Sequence, residues 1–277
     1  MKATLKSLIL TILALGVMLS SCDTPAKRVQ QARALYDEGT ELRQQRLSEE
    51  AAERFLQGIA LMQGCEPTTE NLQLEGDLKD NLGAMYNKHG LFDDALTMHR
   101  EAIADFKQVG DTLGLMTAYR NSGRVAKSLE QFAQAKQFYD TAFSIATLRN
   151  DEAMINDLNL EMGRDYYLSV GNYPKAIDCV TRAMQGGLEG NDLDIANMTL
   201  GVLYYYTDDY ATAKTHLEAA LRSERAGLKQ SVYQTLYAIA YNESNLVQAM
   251  EYQDLFTECM MQADKEHASD NLQRLKA

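Results

Sequence analysis

Arg120, Arg124 and Lys127 stand at i, i+4 and i+7. On a helix that spacing puts three cations on one face. What three such cations can do together is hold carboxylates, because hydrogen bonds between charged groups are stronger than neutral ones. Bond-breaking chemistry would need other residues in other patterns. The sequence has no glycine-rich phosphate loop, no His-Glu-x-x-His and no Cys-x-x-Cys. His89, His99, His216 and His267 are scattered and read as surface or helix-packing residues. Asp93-Asp94 and Asp208-Asp209 read as one turn position occurring twice, with Asp93 and Asp208 as helix N-caps rather than halves of a catalytic dyad. The 13 Met read as core filler. No catalytic residue, metal site or cofactor is expected.

The elements that must position these groups are helices. Hydrophobic residues make up 45% of the 277, enough to bury a core. Only 3 are Pro, which favours closely spaced helices over a loop-rich β fold. A net charge of −12 argues against broad nucleic-acid binding, which needs a basic face. The first residues read as an address. Lys2 and Lys6 precede the apolar run Leu8–Leu19, which is too short to span a bilayer and has the length of a secretory signal. The sequence Leu19-Ser20-Ser21-Cys22 resembles the lipobox of bacterial lipoproteins. That resemblance implies cleavage before Cys22 and its lipidation, several acyl chains together giving durable membrane anchoring. Loss of residues 1–21 removes Lys2 and Lys6 and takes the charge from −12 to −14. Residues 22–31 read as a tether. The outer membrane of a bacterial cell envelope is the expected address, with the periplasmic or surface face left open. Cys65, Cys179 and Cys259 then permit at most one disulfide and are expected as buried thiols in second helices.

The rest of the chain repeats. Ala51, Ala95, Ala135, Ala176, Ala213 and Ala249 recur at gaps of 44, 40, 41, 37 and 36. Gly39, Gly83, Gly123 and Gly201 each stand 12 residues before one of them. Gly163 stands 13 before Ala176, so the fourth unit carries one extra residue, and Tyr237 replaces the Gly of the sixth. Such small residues mark close approach of two helices in a hairpin. The pattern Asn81-Leu82-Gly83-x-x-Tyr86-x-x-x-Gly90-x-Phe92-x-x-Ala95, repeated as Leu200-Gly201-x-x-Tyr204 with Tyr210 and Ala213, resembles the tetratricopeptide repeat family. The resemblance covers residues 32–263 in six units. It implies an all-α, right-handed solenoid of helical hairpins, closed by residues 264–277 as a C-terminal capping helix. The gaps exceed the roughly 34 residues of the commonest form, and this longer form resembles arrays in bacterial peptide-sensing regulators.

The family's first helices line a concave groove. On that register Arg164 matches Arg124, and Asn81 matches Asn121. A further groove position is held by Arg43, Asn87 and Lys127 early and by Tyr167, Tyr205 and Tyr241 late. The resemblance thus implies a partner-binding groove in which Asn81 and Asn121 hold an extended backbone. Arg120, Arg124 and Arg164 would meet an acidic or C-terminal carboxylate end, with Lys127 in the same groove, and the three Tyr would pack apolar side chains. The expected function is a non-enzymatic protein-interaction scaffold, anchored by lipid at the cell envelope, that takes a protein or peptide segment. The alternative is a receptor for a short signalling peptide acting through a separate output protein.

Overall fold

The computed structural model describes residues 24–274. Their secondary structure is helical throughout, as the sequence predicts. Helix α1 (Pro25–Gln44) pairs with α2 (Ser48–Met62), α3 (Thr69–Lys88) with α4 (Phe92–Val109), and α5 (Thr112–Ser128) with α6 (Phe132–Arg149). Helix α7 (Glu152–Glu161) continues as a π-helical stretch, Met162–Tyr167, and pairs with α8 (Tyr173–Gln185). Helix α9 (Gly190–Tyr206) pairs with α10 (Tyr210–Ala220), and α11 (Ala226–Asn242) with α12 (Leu246–Arg274). The chain divides after Asp151 into two compact units, each holding three of these hairpins. The signal peptide 1–21 and Cys22 lie outside the described residues. Among those described, no helix is long and apolar enough to cross a membrane.

The Ala and Gly series have a direct steric cause. All six Ala are buried. Each helical Gly receives the side chain four residues after its Ala. A Cβ built on Gly39 would lie 2.6 Å from Phe55, on Gly83 2.7 Å from His99, and on Gly201 2.5 Å from Leu217. Such distances are closer than side-chain atoms approach one another, so only hydrogen fits. Five residues before each Ala the hairpin turn takes a left-handed residue: Arg46, Gly90, Glu130, Gly171, Asp208 and Ser244, with φ between 58° and 71°. The extra residue of the fourth unit is absorbed by the π-helical stretch, whose wider turn accommodates one more residue than an α-helical turn does.

In the first unit Phe55, Leu74, Leu78 and Leu82 are fully buried in one core cluster, and Phe106 anchors a second with Ala102, Ile103 and Ala118. In the second unit Leu217, Val232, Leu236 and Ile239 form the core.

Several local expectations are corrected. Residues 25–31 are helix rather than tether: Thr24 Oγ1 accepts from Lys27 N at 3.4 Å, and Pro25 sits in the first turn, where its missing N–H costs nothing. Helix α12 runs unbroken to Arg274 because neither Gly nor Pro interrupts it, so 264–274 is its continuation and not a separate cap. Asp93 lies inside the first turn of α4, whose N-cap is Leu91. Asp208 is the left-handed turn residue, and Asp209 caps α10, accepting from Thr212 N at 3.1 Å. The two Asp pairs are therefore not one position, since Asp208 matches Gly90. Cys65, Cys179 and Cys259 are free thiols, but of these three only Cys179 is buried, and Cys65 lies in the connection between α2 and α3. Met62, Met85, Met116 and Met162 fill core, whereas Met250, Met260 and Met261 are exposed.

Candidate functional site

The first helices of the first unit, α1, α3 and α5, line a groove of about 520 Å³. Tyr36 and Arg43 come from α1, Asp77, Asn81 and Ala84 from α3, and Thr117, Asn121 and Arg124 from α5. On α5 the lining positions 113, 117, 121 and 124 fall on one helical face.

Two hydrogen bonds set α3 and α5 side by side, running in the same direction. Gln73 Nε2 donates to Asp111 Oδ2 at 3.3 Å near the helix starts, and Asn121 Nδ2 donates to Asp80 Oδ2 at 2.9 Å further along. Asp80 Oδ1 lies 2.6 Å from His99 Nδ1. The His99 ring is fully buried against Gly83. His99 is thus the packing residue expected of it and also the support behind Asp80, which in turn holds Asn121. Asp111 caps α5, its Oδ1 accepting from the N–H groups of Leu113 and Gly114 at 3.0 Å each. Asn81 Nδ2 donates to the Asp77 carbonyl at 2.9 Å, while its Oδ1 is shielded from water and meets no donor. Asp77 is half-buried. Burial first, and then the charge of Asp111, pushes its pKa up to about 6, against the opposing pull of Arg33.

The groove therefore carries Asp77, Asp80 and Asp111 beside Arg43 and Arg124, where the sequence predicts a basic stripe. Asn81, Asn121 and Arg124 are among the residues that line it. Arg120 and Lys127, although on the same helical side as Arg124, are half-buried and are not among the residues that line it.

Arg164, Tyr167, Tyr205 and Tyr241 belong to the second unit. Arg164 is half-buried with Nη2 2.7 Å from Asp165 Oδ2. Tyr167 is only 5% exposed, edge-on to Tyr166 at 5.0 Å and covered by Lys175 Nζ at 5.1 Å from its ring centre. It is not an open aromatic surface. The π-helical stretch shifts the register by one, so Leu168, eight residues before Ala176, takes the place that Tyr205 and Tyr241 hold in their hairpins. Tyr205 is half-buried with its ring centre 6.0 Å from that of Tyr210, and Tyr241 is exposed with its ring centre 6.2 Å from that of Tyr237. Asp77 and Asp80 escape a reading that looks only for cations and amides, although their place one turn and one residue before Asn81 on the same helix was available as a signal. Among the described residues no group of His, Cys, Asp and Glu is arranged to hold a metal.

Residues 75–147, which span the second and third hairpins and most of the groove, match the tetratricopeptide repeat family. The fold class is that of tetratricopeptide helical arrays. Three solved structures are similar over most of the chain. RapI in its apo form is 11% identical, with 94% of this chain and 93% of that one covered at a TM-score of 0.66. BtubC (BKLC) from P. vanneervenii is 18% identical, with 79% and 90% covered at 0.60. A tetratricopeptide repeat protein from Parabacteroides merdae is 15% identical, with 83% and 80% covered at 0.57. At these identities the likeness is one of fold. No curated protein matches the sequence. Arrays of this class bind proteins through extended surfaces built by consecutive repeats.

Proposed function

We propose that the protein is a non-enzymatic interaction module that holds an extended segment of a partner in the groove of its first unit. The observation that carries this reading is the groove itself, in which three consecutive first helices present amides, charges and apolar side chains to one space. The Asn81 Oδ1 acceptor without a donor suits the N–H of an extended backbone. Arg124 and Arg43 suit an acidic side chain or a C-terminal carboxylate of that segment. The lipobox resemblance at Cys22 supports a lipid anchor, and with it an address at a bacterial envelope, in the outer membrane.

The test is site-specific photocrosslinking from the Thr117 position in native membranes. A partner captured there is lost at least several-fold in Arg124→Glu, with far-UV circular dichroism unchanged. Capture that is indifferent to Arg124→Glu overturns the groove assignment.

A further inference from the structure

The charges of the groove are sorted along its length. Helices α3 and α5 run in the same direction, since Gln73 meets Asp111 and, further along both helices, Asp80 meets Asn121. Asp111 caps the start of α5, and Asp77 lies just before the middle of α3. Arg124 lies toward the end of α5, and Arg43 in the last turn of α1. With Asp80 level with Asn121, Arg124 stands six residues beyond the level of Asp77, about 9 Å along the helix axis. An extended peptide covers that distance in about three residues at ~3.4 Å each.

The three carboxylates are not equivalent. Asp80 is held by His99 and Asn121, and Asp111 by Gln73 and the start of α5. Among the described residues, the Asp77 carboxylate has neither a hydrogen bond nor an ion pair, and it is half-buried in the groove wall. The groups facing it are Arg33 and Tyr36 on α1, Asp80 on its own helix and Asp111 at the start of α5. Arg33 is exposed and offsets the surrounding acid only in part.

We propose that the groove selects a segment with opposite charges about three residues apart, an ammonium or guanidinium group against Asp77 and a carboxylate at Arg43 and Arg124. This rests on the groove reading above and reverses half of its polarity, because a purely acidic segment would bring its charge against Asp77. Binding of the cation requires Asp77 ionised. In the free groove Asp77 keeps its proton up to a pH of about 6. Affinity therefore falls as pH drops through that value, by about tenfold between pH 7 and 5.

The test selects random seven-residue peptides displayed on phage against the purified full chain at pH 7, then measures the enriched peptides by fluorescence anisotropy. The expected peptides pair Lys or Arg with Asp, Glu or a free C-terminus about three residues away. Asp77→Asn, nearly isosteric, weakens them at least about tenfold, the loss expected when a charged partner is left unpaired. Exchanging the peptide's own Lys for Glu does the same on the unaltered protein, so the result does not hang on how one variant folds. The fall in affinity at pH 5 disappears in Asp77→Asn. Peptides that need Arg124 but carry no basic residue, or that bind Asp77→Asn equally well, overturn the dipolar selection and leave the groove reading standing. If no peptide is enriched, or if enriched peptides ignore both Asp77→Asn and Arg124→Glu, the groove reading falls as well.

Discussion

Lys79 is 8% exposed, with its ammonium 2.8 Å from both Glu75 Oε1 and Asp105 Oδ2 and 3.6 Å from Glu101 Oε2. It ties α3 to α4 directly behind the groove wall. A buried charge is costly unless paired, and removing one partner leaves the other uncompensated. Lys79→Met should therefore cost about 3 kcal/mol in urea unfolding, and Lys79→Met with Asp105→Leu should recover most of that. A double variant no more stable than the single one would show that the ion pair is not what the site needs. Neither Lys79 nor His99 is legible as a structural centre from sequence, because their partners lie on the neighbouring helix. A signal for His99 did exist. It stands four residues after its Ala, where Phe55, Tyr139, Val180 and Leu217 stand in other units, and a polar group in that apolar series needs a buried partner such as Asp80.

At the scale of the helix, the repeat spacing was legible because it expresses contact. In five of the six hairpins a Gly faces a bulky residue where the two helices touch, and the sequence repeats that pair as it repeats the hairpin. A Cβ on Gly123 would lie 2.9 Å from the Tyr139 ring, which is itself fully buried. Gly123→Val should thus destabilise by about 2–3 kcal/mol through overpacking, read as a lower urea midpoint at unchanged slope. Tyr139→Leu in the same chain should return part of that loss, and failure to do so would place the strain elsewhere. The turns were less legible. Their left-handed residue is Gly in only two of six hairpins, and Arg46, Glu130, Asp208 and Ser244 take that conformation under constraint from the packed helices. The thirteenth residue of the fourth unit was visible, but its consequence was not. A spacing does not say whether the surplus enters a turn or a helix, and its entry into the helix is what carries Tyr167 inward.

For the molecule as a whole, scarce proline, ample apolar content and the Ala series were enough to read twelve helices in six hairpins. The division after Asp151 was not legible. The Ala gap that straddles it, 41, resembles the gaps of 40 before it and 37 after it, since spacing reports contact within a hairpin and says little about where cores end. The groove was legible in its amides and in Arg124, and illegible in its acids. A net charge of −12 averages over a surface on which a few local carboxylates decide the binding chemistry. The first unit has a core cluster of its own around Phe55, Leu74, Leu78 and Leu82 and three hairpins, about the minimum at which stacked repeats are stable. All groove-lining residues lie between Tyr36 and Arg124. Residues 24–151 made alone should therefore fold with a single cooperative thermal transition and bind groove-selected peptides with affinity within about threefold of the full chain's. A fragment that folds but binds far more weakly would mean that residues after Asp151 contribute to recognition. An unfolded one would mean that three hairpins do not suffice here.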